Sequence, residues 1–145
     1  MKAVIQRVKH ATVSINNTEY NAINYGMLIL FCVEKEDSSE KVNWMAQKIS
    51  SLRFFEDENG KMNKSIADIN GEILIISQFT LAANCQKGTR PSFDNAEEPT
   101  KAKILYEEFV KKVQEIGLPV KTGQFAADMQ VSLCNDGPVT FVLEK

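Results

Sequence analysis

Two short stretches of this chain concentrate side chains able to do chemistry. Ser77-Gln78-Phe79-Thr80-Leu81 directly follows the apolar run Ile73 to Ile76. A hydroxyl, a carboxamide and a second hydroxyl are thus delivered at the end of a core strand, where they can line a small pocket on a rigid base. The same residue types also serve to satisfy strand ends and cap turns. The second stretch, Asn135-Asp136-Gly137-Pro138-Val139-Thr140, sets a Gly-Pro step between two apolar, strand-forming runs. Pro138 removes a backbone donor and Gly137 loosens the chain, which confines the step to an edge, a bulge or a turn. A hairpin turn is one reading. A cis Gly-Pro bond that aims neighbouring carbonyls at a ligand is the other.

Other routes to catalysis are thinly supplied. The chain has one histidine, His10, with no acidic neighbour in sequence, so a Ser-His-Asp or Cys-His arrangement would have to be built on it alone. No His, Asp or Glu cluster has metal-ligand spacing, and no glycine-rich phosphate loop follows a strand; neither metal nor cofactor is expected. Glu56-Asp57-Glu58 reads as a solvated turn. Cys32, Cys85 and Cys134 are odd in number and widely spaced, which indicates neither a disulfide framework nor a zinc knuckle. An enzyme built on this sequence would rely little on ionisable side chains.

The chain of 145 residues, with a hydrophobic share of 43% and a charged share of 25%, fits a single soluble domain over 1–145. Its formal net charge of -2 provides no general electrostatic grip on nucleic acid, so an RNA partner must be held locally. Small basic patches occur at Lys2, Arg7, Lys9 and His10, and again at Lys87 and Arg90. The longest apolar run, Met27 to Val33, is far too short to span a bilayer, and no secretory signal is evident. A cytoplasmic location is expected.

The elements that must position these residues follow from periodicity. Ala3 to Val8 and Ala11 to Ile15 read as two strands, and Met27 to Val33 as a buried one. Asp37 and Glu40 have capping-box spacing ahead of a helix whose Val42, Met45, Ala46, Ile49 and Leu52 share a face. Ile73 to Ile76 suits a central strand covered on both sides. A second helix starts at Pro99, carries Ala102, Leu105, Tyr106, Phe109, Val113 and Ile116 on one face, and is closed by Gly117 and Pro119. Gln130 to Leu133 and Val139 to Leu143 read as strands flanking the Gly-Pro step. The expected class is α+β: one domain with a mixed or antiparallel, barrel-like sheet flanked by two main helices.

Taken together and in order, Ser77-Gln78-Phe79-Thr80-Leu81-Ala82, Arg90-Pro91-Ser92-Phe93 and Asn135 to Thr140 resemble the motifs of bacterial D-aminoacyl-tRNA deacylases. The likeness extends from Ile5-Gln6-Arg7-Val8 through Gly60-Lys61-Met62-Asn63 to Phe125-Ala126-Ala127-Asp128-Met129-Gln130-Val131, essentially the whole chain. The resemblance implies an esterase acting on the 3′ end of tRNA carrying a D-amino acid or mischarged glycine. It implies catalytic roles for Gln78, Phe79 and Thr80, and substrate binding by Ser77, Gly137, Pro138, Phe125, Met129 and Arg7. It also implies a homodimer in which a cis Gly137-Pro138 step enters the partner's site. Arg7, whose guanidinium presents several donors in a planar fork, is a candidate to fix the carbonyls of that step; a surface arginine on the first strand is the other reading. Arg90 is left between a structural role and one on the tRNA backbone. Two alternatives stand beside this reading: an editing hydrolase for a wrong L-aminoacyl-tRNA, and a non-catalytic tRNA-binding dimer.

Overall fold

The computed structural model describes residues 1–145. Its order is β1 (Lys2–Ile15), β2 (Thr18–Ile23), β3 (Gly26–Cys32), α1 (Ser39–Ser51), β4 (Phe55–Glu56), β5 (Met62–Lys64), β6 (Glu72–Ser77), a 3-10 turn (Phe79–Ala82), α2 (Pro99–Glu115), β7 (Val120–Thr122) and β8 (Gln130–Glu144). The main sheet runs β2-β1-β3-β6-β7, with β8 paired to β1; β4 and β5 form a separate ribbon. Pairings of β1 are antiparallel, whereas β3-β6 and β6-β7 are parallel, so the sheet is mixed. It nearly closes on itself. Asn21 Nδ2 donates to Thr122 O at 2.7 Å and Lys121 Nζ to Ala22 O at 2.6 Å, bridging the two ends of the strand order.

The continuous apolar run in β6 has the predicted cause. Ile73 and Ile75 face a core shared with both helices, while Leu74 and Ile76 face a second core that also holds Val8, Val13 and Leu28. Burial on both faces removes the polar alternation expected of a half-wet strand. α2 begins on Pro99, with the Glu98 carboxylate accepting from Thr100 N at 3.0 Å and Lys101 N at 3.2 Å. It buries Leu105, Tyr106, Phe109 and Val113 at helical spacing, and Phe109 stacks on Phe31 of β3 with ring centroids 4.1 Å apart. Ile116, expected on that face, lies just past the helix and is largely exposed.

Three local expectations change. The two N-terminal strands are one continuous β1, because β8 pairs along nearly its entire length. The capping box does not form: Asp37 instead accepts from Glu34 N at 2.7 Å, the Met1 ammonium at 2.8 Å and Lys41 Nζ at 3.0 Å, and Ser38 is the N-cap residue of α1. The Gly-Pro step is no hairpin. β8 continues through it as a single strand, with Gln6 opposite Thr140 and Val8 opposite Asn135, so Asp136 to Val139 bulge outward against Arg7.

The sheet tolerates no side chain where β3 begins beside β6. A Cβ on Gly26 would stand 1.8 Å from the Glu72 carbonyl oxygen, a backbone atom that can retreat only by opening the parallel pairing. Gly26→Ala is expected to cost about 3 kcal/mol and lower the melting temperature by about 10 °C. Thermal unfolding by circular dichroism checks this; a shift under about 2 °C would contradict the close approach.

Candidate active site

A cleft of about 510 Å³ opens at the carboxyl end of β6, where the chain turns into the 3-10 segment. Ser77, Gln78 and Phe79, Tyr106 of α2, and Phe125 and Met129 are among the residues that line it. Five sequence-predicted site residues therefore meet in one cavity. Their positioning is local and rigid. Gln78 N donates to Phe31 O at 2.8 Å, extending the β3-β6 pairing by one bond before the turn. Leu81 N and Ala83 N then close the turn onto Gln78 O and Thr80 O. The amides of Phe79 and Thr80 sit at its open N-terminal end and take no partner among the turn, loop and cap hydrogen bonds.

Thr80 is exposed beside the cleft rather than lining it. Its hydroxyl accepts from the Gln78 carboxamide, and no carboxylate or imidazole touches it. Two carboxylates line the cleft: Glu97 is tied to Lys101 Nζ at 2.6 Å, which is the main cause holding its pKa below the usual range, and Asp128 is exposed. No group of three or more His, Cys, Asp or Glu side chains is placed to hold a metal ion.

Tyr106 and Cys32 also line the cleft but read in sequence as core. The Tyr106 hydroxyl donates to Ile75 O at 3.0 Å, and its ring lies 5.7 Å from that of Phe125. A tyrosine hydroxyl on an otherwise apolar helix face needs such a partner, and that was the available signal. Burial pushes its pKa up. Cys32 Sγ lies 3.6 Å from Phe79 O, and its pKa is pushed up to about 11 by burial, then by the Glu34 carboxylate. It is a protonated wall residue and a poor nucleophile.

Arg7, Gly137 and Pro138 assemble elsewhere. Arg7 is no surface arginine: only 3% exposed, it donates from Nε to Asp136 O at 2.9 Å and from Nη2 to Glu56 Oε1 at 3.1 Å, with Nη1 3.5 Å from Phe54 O. Its carbonyl acceptor on β8 is thus Asp136, immediately before the Gly-Pro step, rather than Gly137 or Pro138. Asn135 braces the far side of the bulge, accepting from Val139 N at 2.7 Å and donating to Val139 O at 3.2 Å. The Gly137-Pro138 bond is cis, and both residues are exposed. Gly137 adopts φ +134°, and a Cβ there would stand 2.7 Å from Val139 Cγ2. Neither residue lines the cleft of its own chain.

Residues 4–144 match the family model described as D-Tyr-tRNA(Tyr) deacylase. The chain belongs to the D-Tyr-tRNA(Tyr) deacylase family. It is thereby a hydrolase by class. Among its relatives, the D-aminoacyl-tRNA deacylase of Geotalea uraniireducens (strain Rf4) is 58% identical over 144 residues, 99% of this chain and 93% of that protein. The namesake from Pseudoalteromonas translucida (strain TAC 125) is 55% identical over 143 residues, 99% of each chain. Among solved structures, the c-Myc DNA Unwinding Element Binding Protein superimposes with a TM-score of 0.94 at 41% identity, covering 100% of this chain and 99% of that one. A structure titled as a probable eukaryotic D-amino acid tRNA deacylase shares the fold, with a TM-score of 0.82 at 17% identity over 98% of this chain and 97% of its own. No helix of this deacylase-family chain is long and apolar enough to cross a membrane.

The contrast between its thiols is directly measurable. Cys85 is exposed, whereas Cys32 is buried and raised in pKa. At about pH 8, iodoacetamide is expected to label Cys85 well before Cys32, which stays protected until the protein unfolds. Peptide mass spectrometry that found Cys32 labelled as fast as Cys85 would contradict the closed wall.

Proposed function

We propose that this protein hydrolyses the ester joining a D-amino acid, or mischarged glycine, to the terminal ribose of tRNA, and that it works as a cytoplasmic homodimer. The family match over residues 4–144 carries the reading. The geometry supports it in two places: a cleft with unengaged backbone donors, and a braced, exposed bulge that its own chain's cleft does not use.

In the reaction a water oxygen bonds to the ester carbonyl carbon, and the bond from that carbon to the ribose oxygen breaks. The leaving oxygen takes up a proton, releasing free amino acid and tRNA. The N–H groups of Phe79 and Thr80 are the donors for the transient oxyanion, a contribution commonly worth several kcal/mol in acyl transfer. Gln78 orients the Thr80 hydroxyl on the same turn. Thr80 lacks a contacting base to make it a nucleophile, so the ribose 2′-hydroxyl beside the ester assists the attack. Phe125 and Met129 provide apolar contact for the adenosine and the aminoacyl group, and Ser77 a hydroxyl in the same cleft.

Selectivity follows from rigidity. L- and D-residues differ by exchange of hydrogen and side chain at one carbon, so a stiff wall at that position rejects one by clash without reading the side chain. The bulge carrying Gly137 and Pro138, gripped by Arg7 and Asn135, is that wall, presented by the partner subunit. Glycine has nothing to clash and is admitted.

D-tyrosyl-tRNA and glycyl-tRNA are therefore expected to release free amino acid at catalytic enzyme concentrations, while L-tyrosyl-tRNA persists. D-tyrosyl-tRNA lacking the terminal 2′-hydroxyl is expected to react about 100-fold more slowly, and Thr80→Ala to retain turnover. Faster L-hydrolysis would favour an L-editing enzyme, and no release from any substrate a tRNA-binding dimer. Loss of turnover in Thr80→Ala, with normal binding and an unaffected 2′-deoxy substrate, would instead make Thr80 the nucleophile.

A further inference from the structure

The rings of one exposed aromatic pair take no part in the chemistry described so far, although the backbone N–H of Phe79 does. Phe79 is 60% exposed and Phe93 38% exposed, yet their rings meet with centroids 5.1 Å apart at the mouth of the cleft. Exposing two phenylalanines side by side keeps apolar area in water that a merely structural pair would cover. Phe93 is nevertheless firmly placed. Ser92 and Asn84 exchange backbone hydrogen bonds at 3.0 and 2.8 Å, Ala96 N donates to Phe93 O at 3.0 Å, and Glu97 N donates to Val33 O at 3.2 Å.

The loop that leaves this platform, Cys85 to Pro91, is exposed throughout and contains Lys87 and Arg90 but no acidic residue. Neither cation has a carboxylate within salt-bridge distance. The lysines of α2, on the other flank of the cleft, are engaged: Lys101 with Glu97 at 2.6 Å, Lys103 with Glu107 at 3.8 Å, Lys111 with Glu115 at 4.0 Å and Lys112 with Glu115 at 3.2 Å. Lys87 and Arg90 thus place two cations without an ion-pair partner on the loop next to the aromatic pair, where the nearest acidic residue in sequence is the exposed Asp94 after Phe93. Stacking faces combined with backbone-tracking cations are the two components by which proteins hold single-stranded nucleic acid.

We infer that Phe79 and Phe93 form a stacking platform for the unpaired nucleotides 5′ of the terminal adenosine, with Lys87 and Arg90 contacting their phosphates. The inference rests on the deacylase reading and adds a direction to it. The RNA strand leaves the cleft over Phe93 towards residues 85–91, not along α2. It also explains how an acidic protein holds a polyanion without a basic surface: a few contacts are placed where the strand is single.

The test compares two substrates that differ only in the nucleotides concerned: D-tyrosyl-tRNA, and D-tyrosyl-adenosine, which ends at the terminal nucleoside. For Phe93→Ala, kcat/KM on the tRNA is expected to fall about tenfold or more, while that on the nucleoside ester changes little. Lys87→Ala/Arg90→Ala is expected to weaken the tRNA reaction and flatten its dependence of log kcat/KM on log salt by about 1.4, the contribution of two phosphate contacts to a single strand. Equal losses on both substrates would make Phe93 a structural support and overturn the inference. An active parent whose variants keep its substrate ratio and salt slope would overturn it too, leaving the deacylase reading intact. An inactive parent removes both.

Discussion

The guanidinium of Arg7 is buried at the point where β8 leaves its register against β1. Removing a charged group from water is costly, and the cost is met only when its donors find acceptors. Here they find the Asp136 carbonyl on β8, the Glu56 carboxylate on β4 and, at longer range, the Phe54 carbonyl. One planar fork thereby ties three separated parts of the chain together. With Asn135 bracing the other side, the segment from Asp136 to Val139 is held at both ends and presents Gly137 and Pro138 to solvent. The near-closed sheet provides the frame: β1 and β8 run together on either side of the bulge, so the interruption does not end the pairing.

Two rigid features result, built by different means. The cleft depends on a parallel strand, β6, that is apolar on both faces and turns sharply once it emerges from the core. Its polar groups are mostly backbone and amide, which suits chemistry based on preorganised donors rather than on a titrating dyad. The bulge depends on antiparallel pairing and a buried ion. On the proposed reading stiffness matters in the bulge above all, since rejection by clash weakens as soon as a wall can move aside.

Much of this was readable from local pattern. Ile73 to Ile76 announced a doubly covered strand, Pro99 and the spacing of Leu105, Phe109 and Val113 announced α2, and the polar cluster after β6 marked one wall of the cleft. What escaped depended on partners distant in sequence. A Gly-Pro step has the same local signature in a hairpin and in a bulge; only the pairing of β8 with β1, more than a hundred residues away, decides between them. Asp37 had capping-box spacing, yet a buried ammonium and Lys41 compete for its carboxylate. Tyr106 and Cys32 follow core periodicity and are buried, yet both also line the cleft. The grip of Arg7 on the Gly-Pro segment was readable, but not its burial, since that also depends on Phe54 and Glu56.

The central proposal is that the bulge is a wall against L-residues and that Arg7 stiffens it. Arg7→Lys keeps a positive charge but loses the planar fork, so it relaxes the bulge without emptying the site. The decisive measurement is the ratio of kcat/KM for D- over L-tyrosyl-tRNA in that variant. The account predicts that the ratio falls about tenfold or more, because L-tyrosyl-tRNA becomes a substrate. If both rates change together and the ratio stays at the parent value, Arg7 holds the fold but not the wall, and the account is contradicted.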